Sequence, residues 1–168
     1  MIELVEMYGV PERQVIIELE TDEGVATMTL SGGRVQACSV EALPPDATMQ
    51  KRTLRFLSIT SASFCVKPYE PPRKLTDGSV AELLVEGRHQ LNELALLTAR
   101  LPGPGQPLVL AKPLLRKLSE LDEPELDLLQ LAHNVGKLPL IMNQWHETDV
   151  QTARRLLSLL DGGYLRRR

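Results

Sequence analysis

The sequence predicts an α+β fold: an antiparallel sheet of about four strands packed with helices, followed by a small winged-helix-like helical domain. Three observations predict it. Short β-branched runs separated by turn residues crowd the first forty positions, the pattern of an antiparallel meander. A leucine-rich helical stripe opens near Ser79 and runs to about Arg100. Beyond it a Pro/Gly cluster interrupts the chain, and the remainder reads as helical.

Ile2, Leu4, Val5 and Tyr8 have the spacing of one helical face, so residues 2–8 are expected as a short helix. VIIELET (15–21) reads as a strand, the acidic turn Asp22-Glu23-Gly24 ends it, and GVATMTL (24–30) is the second strand. In Ser31-Gly32-Gly33-Arg34 the paired glycines tolerate the positive φ of a hairpin turn, which leads to a third strand, RVQACSV (34–40). EALPPDA (41–47) is a loop, and Met49, Leu54, Phe56 and Leu57 anchor a helix over 48–57. SFCVK (63–67) is a fourth strand stopped by Pro68. YEPPRKL (69–75) is an extended connector, because consecutive prolines enter neither a helix nor a central strand.

The long helix opens on Ser79-Val80-Ala81-Glu82, where a Ser hydroxyl and a Glu carboxylate can satisfy free backbone amides. Leu83, Leu84, Leu91, Leu94 and Leu97 keep its apolar stripe. LPGPGQP (101–107) holds three prolines and two glycines and is expected as a linker between a first domain, 1–100, and a second, 108–168. In the second domain Asp122-Glu123-Pro124-Glu125 opens a helix to about His133, with Pro124 in the first turn, where a missing N–H does no harm, and Gly136 ends it. PLIMNQW (139–145) is a short second helix. Thr148-Asp149-Val150-Gln151 is another capping box, opening a third helix that stops at Gly162-Gly163, and the YLRRR tail is a short strand. Helix, turn, helix, helix and strand is the order of a winged helix.

Composition narrows the function. With 43% hydrophobic and 24% charged residues the chain has the make-up of a folded globular protein. Its net charge of -3 lacks the basic footprint of a strong nucleic-acid binder. No apolar run approaches the roughly 20 residues of a membrane helix, and MIELVEMYGV carries acids where a secretory signal has lysines. A cytoplasmic location is expected, with Cys38 and Cys65 as buried free thiols.

No catalytic, cofactor or metal site is expected, and no small-molecule substrate. Leu30-Ser31-Gly32-Gly33 has the look of a nucleotide-signature loop, but the phosphate cradle GxxxxGK[ST] is missing, so a hairpin turn is the reading. His89, His133 and His146 never stand four apart, the spacing that puts two zinc ligands on one helix face. There is no G-x-S-x-G nucleophile elbow.

What remains is recognition of a protein partner or of a second copy. Three residues are candidates for that interface. Ile16 lies in a strand guarded by only two acids, which matters if the strand is at an edge. Leu96 sits roughly 100° around the long helix from Leu97 and widens its apolar face. Trp145, the sole tryptophan, is a hot-spot candidate, against the plainer reading that it packs between two C-terminal helices. The alternative is a DNA-binding regulator using Arg154, Arg155 and the 166–168 arginines on the winged-helix-like domain. From residue 115 onward eight Lys/Arg face eight Asp/Glu, so weak or no duplex binding is expected at physiological salt.

Several segments, taken in order, resemble the PATAN-like bacterial family, a domain of unknown function. GVATMTLSGGRVQA is similar to its hairpin, with Gly33-Arg34-Val35-Gln36-Ala37 on the family's Gly-Arg-apolar-x-Ala strand. SFCVKPYEPPRKL is similar to its aromatic strand and Pro-rich connector. Leu83-Leu84-Val85-Glu86-Gly87-Arg88, closing on Leu91-Asn92-Glu93, resembles its helix motif. The resemblance covers roughly residues 1–97. It implies a non-enzymatic signalling domain, tied in some relatives to twitching or gliding motility through pilus ATPases or Ras-like GTPases. It supplies no catalytic residues.

Overall fold

A computed structural model describes residues 1–69, 78–103, 105–114 and 116–168. The connector expected after Pro68 lies, from residue 70 onward, outside the described residues. The α+β class is as expected. Contacts divide the chain into two compact units, Met1–Asn92 and Glu93–Arg168.

The first unit opens on α1 (Ile2–Tyr8) and continues with β1 (Gln14–Thr21), β2 (Gly24–Ser31) and β3 (Arg34–Val40), then α2 (Met49–Ser58), β4 (Ser63–Pro68) and the start of α3 (Val80–Thr98). All ladders are antiparallel, and the sheet order is β3-β2-β1-β4. The register Thr21↔Gly24 leaves Asp22-Glu23 as a two-residue loop, and Thr21 Oγ1 accepts the Glu23 N–H. The second loop is Gly32-Gly33, with φ of 60° and 71°, the conformation that two-residue hairpins require and only glycine adopts freely.

Side-chain alternation sends Ile17 and Leu19 of β1 and Ala26, Met28 and Leu30 of β2 into one core face. In β3 the pairing slips between Thr29↔Ala37 and Leu30↔Val35, so Gln36 is an extra residue. This bulge is why Val35 and Cys38, three apart, both face the core. Val5 of α1, Phe56 and Leu57 of α2, and Val80 and Leu84 of α3 complete the cluster. Thr48 caps α2 by accepting the Lys51 N–H. Gly87 faces α2 so closely that a Cβ there would lie 2.5 Å from Leu57 Cδ1.

The second unit takes the end of α3, then β5 (Leu108–Leu110), a 3-10 turn at Leu118–Glu120, α4 (Glu123–Val135), α5 (Leu138–Gln144), α6 (Asp149–Asp161) and β6 (Leu165–Arg167). Asp122 and Thr148 both form complete capping boxes, with Glu125 and Gln151. Gly136 ends α4 in the left-handed conformation, its N–H bonded to the Ala132 carbonyl. Leu128, Ala132, Ile141, Ala153, Leu156 and Leu159 are fully buried in its core. The tail strand expected from YLRRR pairs antiparallel with β5, a three-residue strand too short to show periodicity in sequence.

The division between units falls inside α3, ahead of the 101–107 stretch expected as the linker. Leu94 and Leu97 pack against the second core, and Leu101 is buried within it. The helix therefore passes from one unit to the other, and the Pro/Gly stretch belongs to the second.

Candidate functional site

β4 ends the sheet on one side. The Tyr69 N–H donates to the Gln14 carbonyl at 2.9 Å, so the alternation of an antiparallel ladder makes Ile16–Lys67, Glu18–Cys65 and Glu20–Ser63 the pairs that exchange hydrogen bonds. The main-chain N–H and C=O groups of Phe64 and Val66 therefore point away from β1. Among the described residues no strand lies beyond them. The opposite edge is treated differently: the Val35 N–H donates to the Gly78 carbonyl, the Val80 N–H to the Gly33 carbonyl, and Arg34 bridges Ser79.

The two faces of β4 differ in chemistry. Phe64 and Val66 stand opposite Leu19 and Ile17, on the face that carries the core, yet Phe64 is 57% exposed because the helical cover does not reach it. Cys65 and Lys67 stand on the other face. There Lys67 Nζ lies 3.0 Å from Glu18 Oε2, and that hydrogen bond and charge hold the ammonium pKa above its ordinary value. Gln14, Ile16, Glu18, Glu20, Thr27, Thr29, Ala37 and Ser39 share this face, and none of them is buried. The hydroxyls of Thr27 and Ser39 hydrogen-bond across β2 and β3 at 2.8 Å. Glu18, Glu20, Ser63, Phe64 and Cys65 line a recess of about 120 Å³ against the edge.

Of the three residues expected at an interface, Ile16 lies in the first unit and Leu96 and Trp145 in the second. Ile16 is half-buried in β1, an interior strand paired on both sides, so its main chain offers nothing to a partner. Trp145 is 7% exposed within the second core, and its indole N–H donates to Glu147 Oε2 at 3.1 Å. Leu96 is 74% exposed on α3. Cys65 departs from its expectation as a buried thiol: a residue on the uncovered face of an edge strand has nothing to bury it, whereas Cys38 is buried, which pushes its thiol up to about 12. Phe64 is not among the residues expected at the interface from sequence. The signal was Pro68, since a proline in a strand confines that strand to an edge.

The arginines of α6 are already engaged. Arg154 bonds Glu93 through Nε and Nη2. Arg155 grips Glu147 through Nε at 2.8 Å and Nη2 at 3.0 Å, with Asp122 at 3.8 Å from Nη1. A notch of about 320 Å³ beside the Asp22-Glu23 turn is lined by that turn, Arg55 and residues 58–61; both its acids are exposed. Among the described residues no group of three or more His, Cys, Asp or Glu is placed to hold a metal ion, and no helix is long and apolar enough to cross a membrane.

No family model, no curated protein and no solved structure matches the chain.

Proposed function

We propose that this chain is a cytoplasmic, non-enzymatic protein–protein interaction module of bacterial signalling, and that β4 is its recognition edge. The observation that carries the reading is the β4 edge, beyond which no strand lies among the described residues, with Phe64 exposed on the apolar side of the sheet. Unpaired edge groups accept an added strand, main-chain hydrogen bonds giving affinity and alternate side chains giving specificity. The resemblance to PATAN-like domains points to the setting: motility control through a pilus ATPase or a Ras-like GTPase. The competing expectation, duplex recognition by the winged-helix-like half, would need Arg154 and Arg155 as donors, and both already serve carboxylates.

The test compares three baits in extracts of the native cell: the natural chain, Phe64→Lys and Leu96→Glu, each first shown folded by circular dichroism. The reading expects partners held by the natural chain and by Leu96→Glu to be lost from Phe64→Lys. Identical partners on the natural chain and Phe64→Lys would contradict it. Loss from Leu96→Glu alone would move the site to α3.

A further inference from the structure

The outer edge of β4 is self-complementary. We propose that β4 pairs antiparallel with β4 of a second copy of this chain, Phe64 lying opposite the partner's Val66 and Cys65 opposite the partner's Cys65. The inference rests on the reading of β4 as the recognition edge and names its occupant.

Hydrogen bonding selects the register. The groups that point outward belong to Phe64 and Val66, flanked by Pro68, which has no N–H. Placing Phe64 against the partner's Val66 pairs both N–H and both C=O groups on each copy. Sliding by two residues in one direction sets Phe64 against the partner's Pro68, whose ring faces the Phe64 carbonyl where a donor should be, whereas in the chosen register the carbonyl without a strand donor is that of Pro68 itself, at the open end of the strand. Sliding the other way calls on residue 62, which lies outside the strand.

Side chains agree with that register. A two-fold axis perpendicular to the sheet keeps like faces together, so the core face runs Ile17, Val66, the partner's Phe64, the partner's Leu19 as one apolar row. An aromatic opposite a β-branched residue is a favourable cross-strand pair, and it covers the ring that the helices leave exposed. On the polar face Lys67 lies opposite the partner's Ser63, a small residue, and beyond it stands the partner's Glu20. Lys67 is held by its own Glu18 on the β1 side, so charge does not oppose the pairing, and the two Lys67 side chains stay apart. No like charges meet directly, and the edge carries no inward-pointing charge to repel a twin.

At the axis the two Cys65 residues form a non-hydrogen-bonded pair, where antiparallel Cα atoms lie about 4.5 Å apart, within disulfide reach. This makes the register readable. Two Cys65 thiols give up two electrons and two protons to one oxidised glutathione, which leaves as two reduced glutathiones. Cys38, buried in the core, does not compete.

The experiment uses the full chain under reducing conditions, in sedimentation equilibrium from about 1 µM to about 1 mM. The expected result is a reversible dimer whose midpoint rises by about tenfold or more in Phe64→Lys and stays in place in Cys65→Ser. Oxidised glutathione should then convert the natural chain to a covalent dimer linked Cys65 to Cys65 by peptide mass mapping, and leave Cys65→Ser unlinked. A monomer throughout, a dimer indifferent to Phe64→Lys, or a dimer that forms no Cys65 link would each overturn the proposal. A monomeric natural chain whose cellular partners still depend on Phe64 would overturn self-pairing and keep β4 as the recognition edge.

Discussion

Glu147 shows how single residues hold the second unit. Burial pushes its carboxyl up, but hydrogen bonds from Arg155 and Trp145 outweigh that and hold it below the ordinary 4.5. A depressed carboxylate stabilises the fold fully above its unfolded value, and the contribution is lost as pH falls through the lower folded value. Stability should therefore decline as pH drops below about 4.5. Glu147→Gln should lose about 1 kcal/mol at neutral pH, given the partial exposure of the pair, and flatten that decline, as read by urea unfolding at several pH values. The two cysteines separate just as clearly. Iodoacetamide should label Cys65 in the folded chain and Cys38 only after unfolding, as peptide mass mapping would show. Nothing in the sequence distinguished these thiols, because both sit in apolar strand segments. The distinction comes from register, which sets Cys38 opposite Met28 on the core face and Cys65 opposite Glu18 on the other.

Local signals made the elements legible. Each capping box is written within four residues, so Asp122 and Thr148 were readable before any tertiary structure was known. The same holds for the Gly32-Gly33 turn and for Gly136, whose φ of 70° demands glycine. Gly136→Ala should cost about 1 kcal/mol in thermal or urea unfolding, since a Cβ there would make only ordinary contacts, the nearest with the Leu108 carbonyl oxygen at 3.5 Å, and the penalty is that of the backbone conformation. Gly87→Val tests the opposite case, where the conformation is ordinary and space is short. Overlap with Leu57 should destabilise by about 1–3 kcal/mol. The bulge at Gln36 was not legible, because an extra residue reveals itself only against the strand it faces. β5 carries no local signal, because its partner β6 lies more than fifty residues away in sequence.

At the scale of the molecule, the sequence gives hairpin neighbours and leaves the non-local neighbour open. β1, β2 and β3 follow from two short turns, but the side on which β4 joins depends on the α2 crossover, and that choice moved the exposed edge from VIIELET to SFCVK. Ile16 therefore lies on a strand whose edge the fold pairs, and Phe64 on the strand that takes the edge position instead. Charge distribution bears on the second unit in the same way. With its α6 arginines held by Glu93 and Glu147, duplex affinity at physiological salt should stay at the non-specific level in fluorescence anisotropy, with no sequence preference. The claim on which the account turns is that the outward main chain of β4 is where this protein pairs with its own kind. Amide hydrogen exchange resolved by residue tests it most directly. At low concentration Cys65 and Lys67, bonded to β1, should exchange slowly, and Phe64 and Val66 quickly. As concentration rises through the dimer midpoint, Phe64 and Val66 should become protected. Phe64 and Val66 amides that remain fast at every concentration would contradict it.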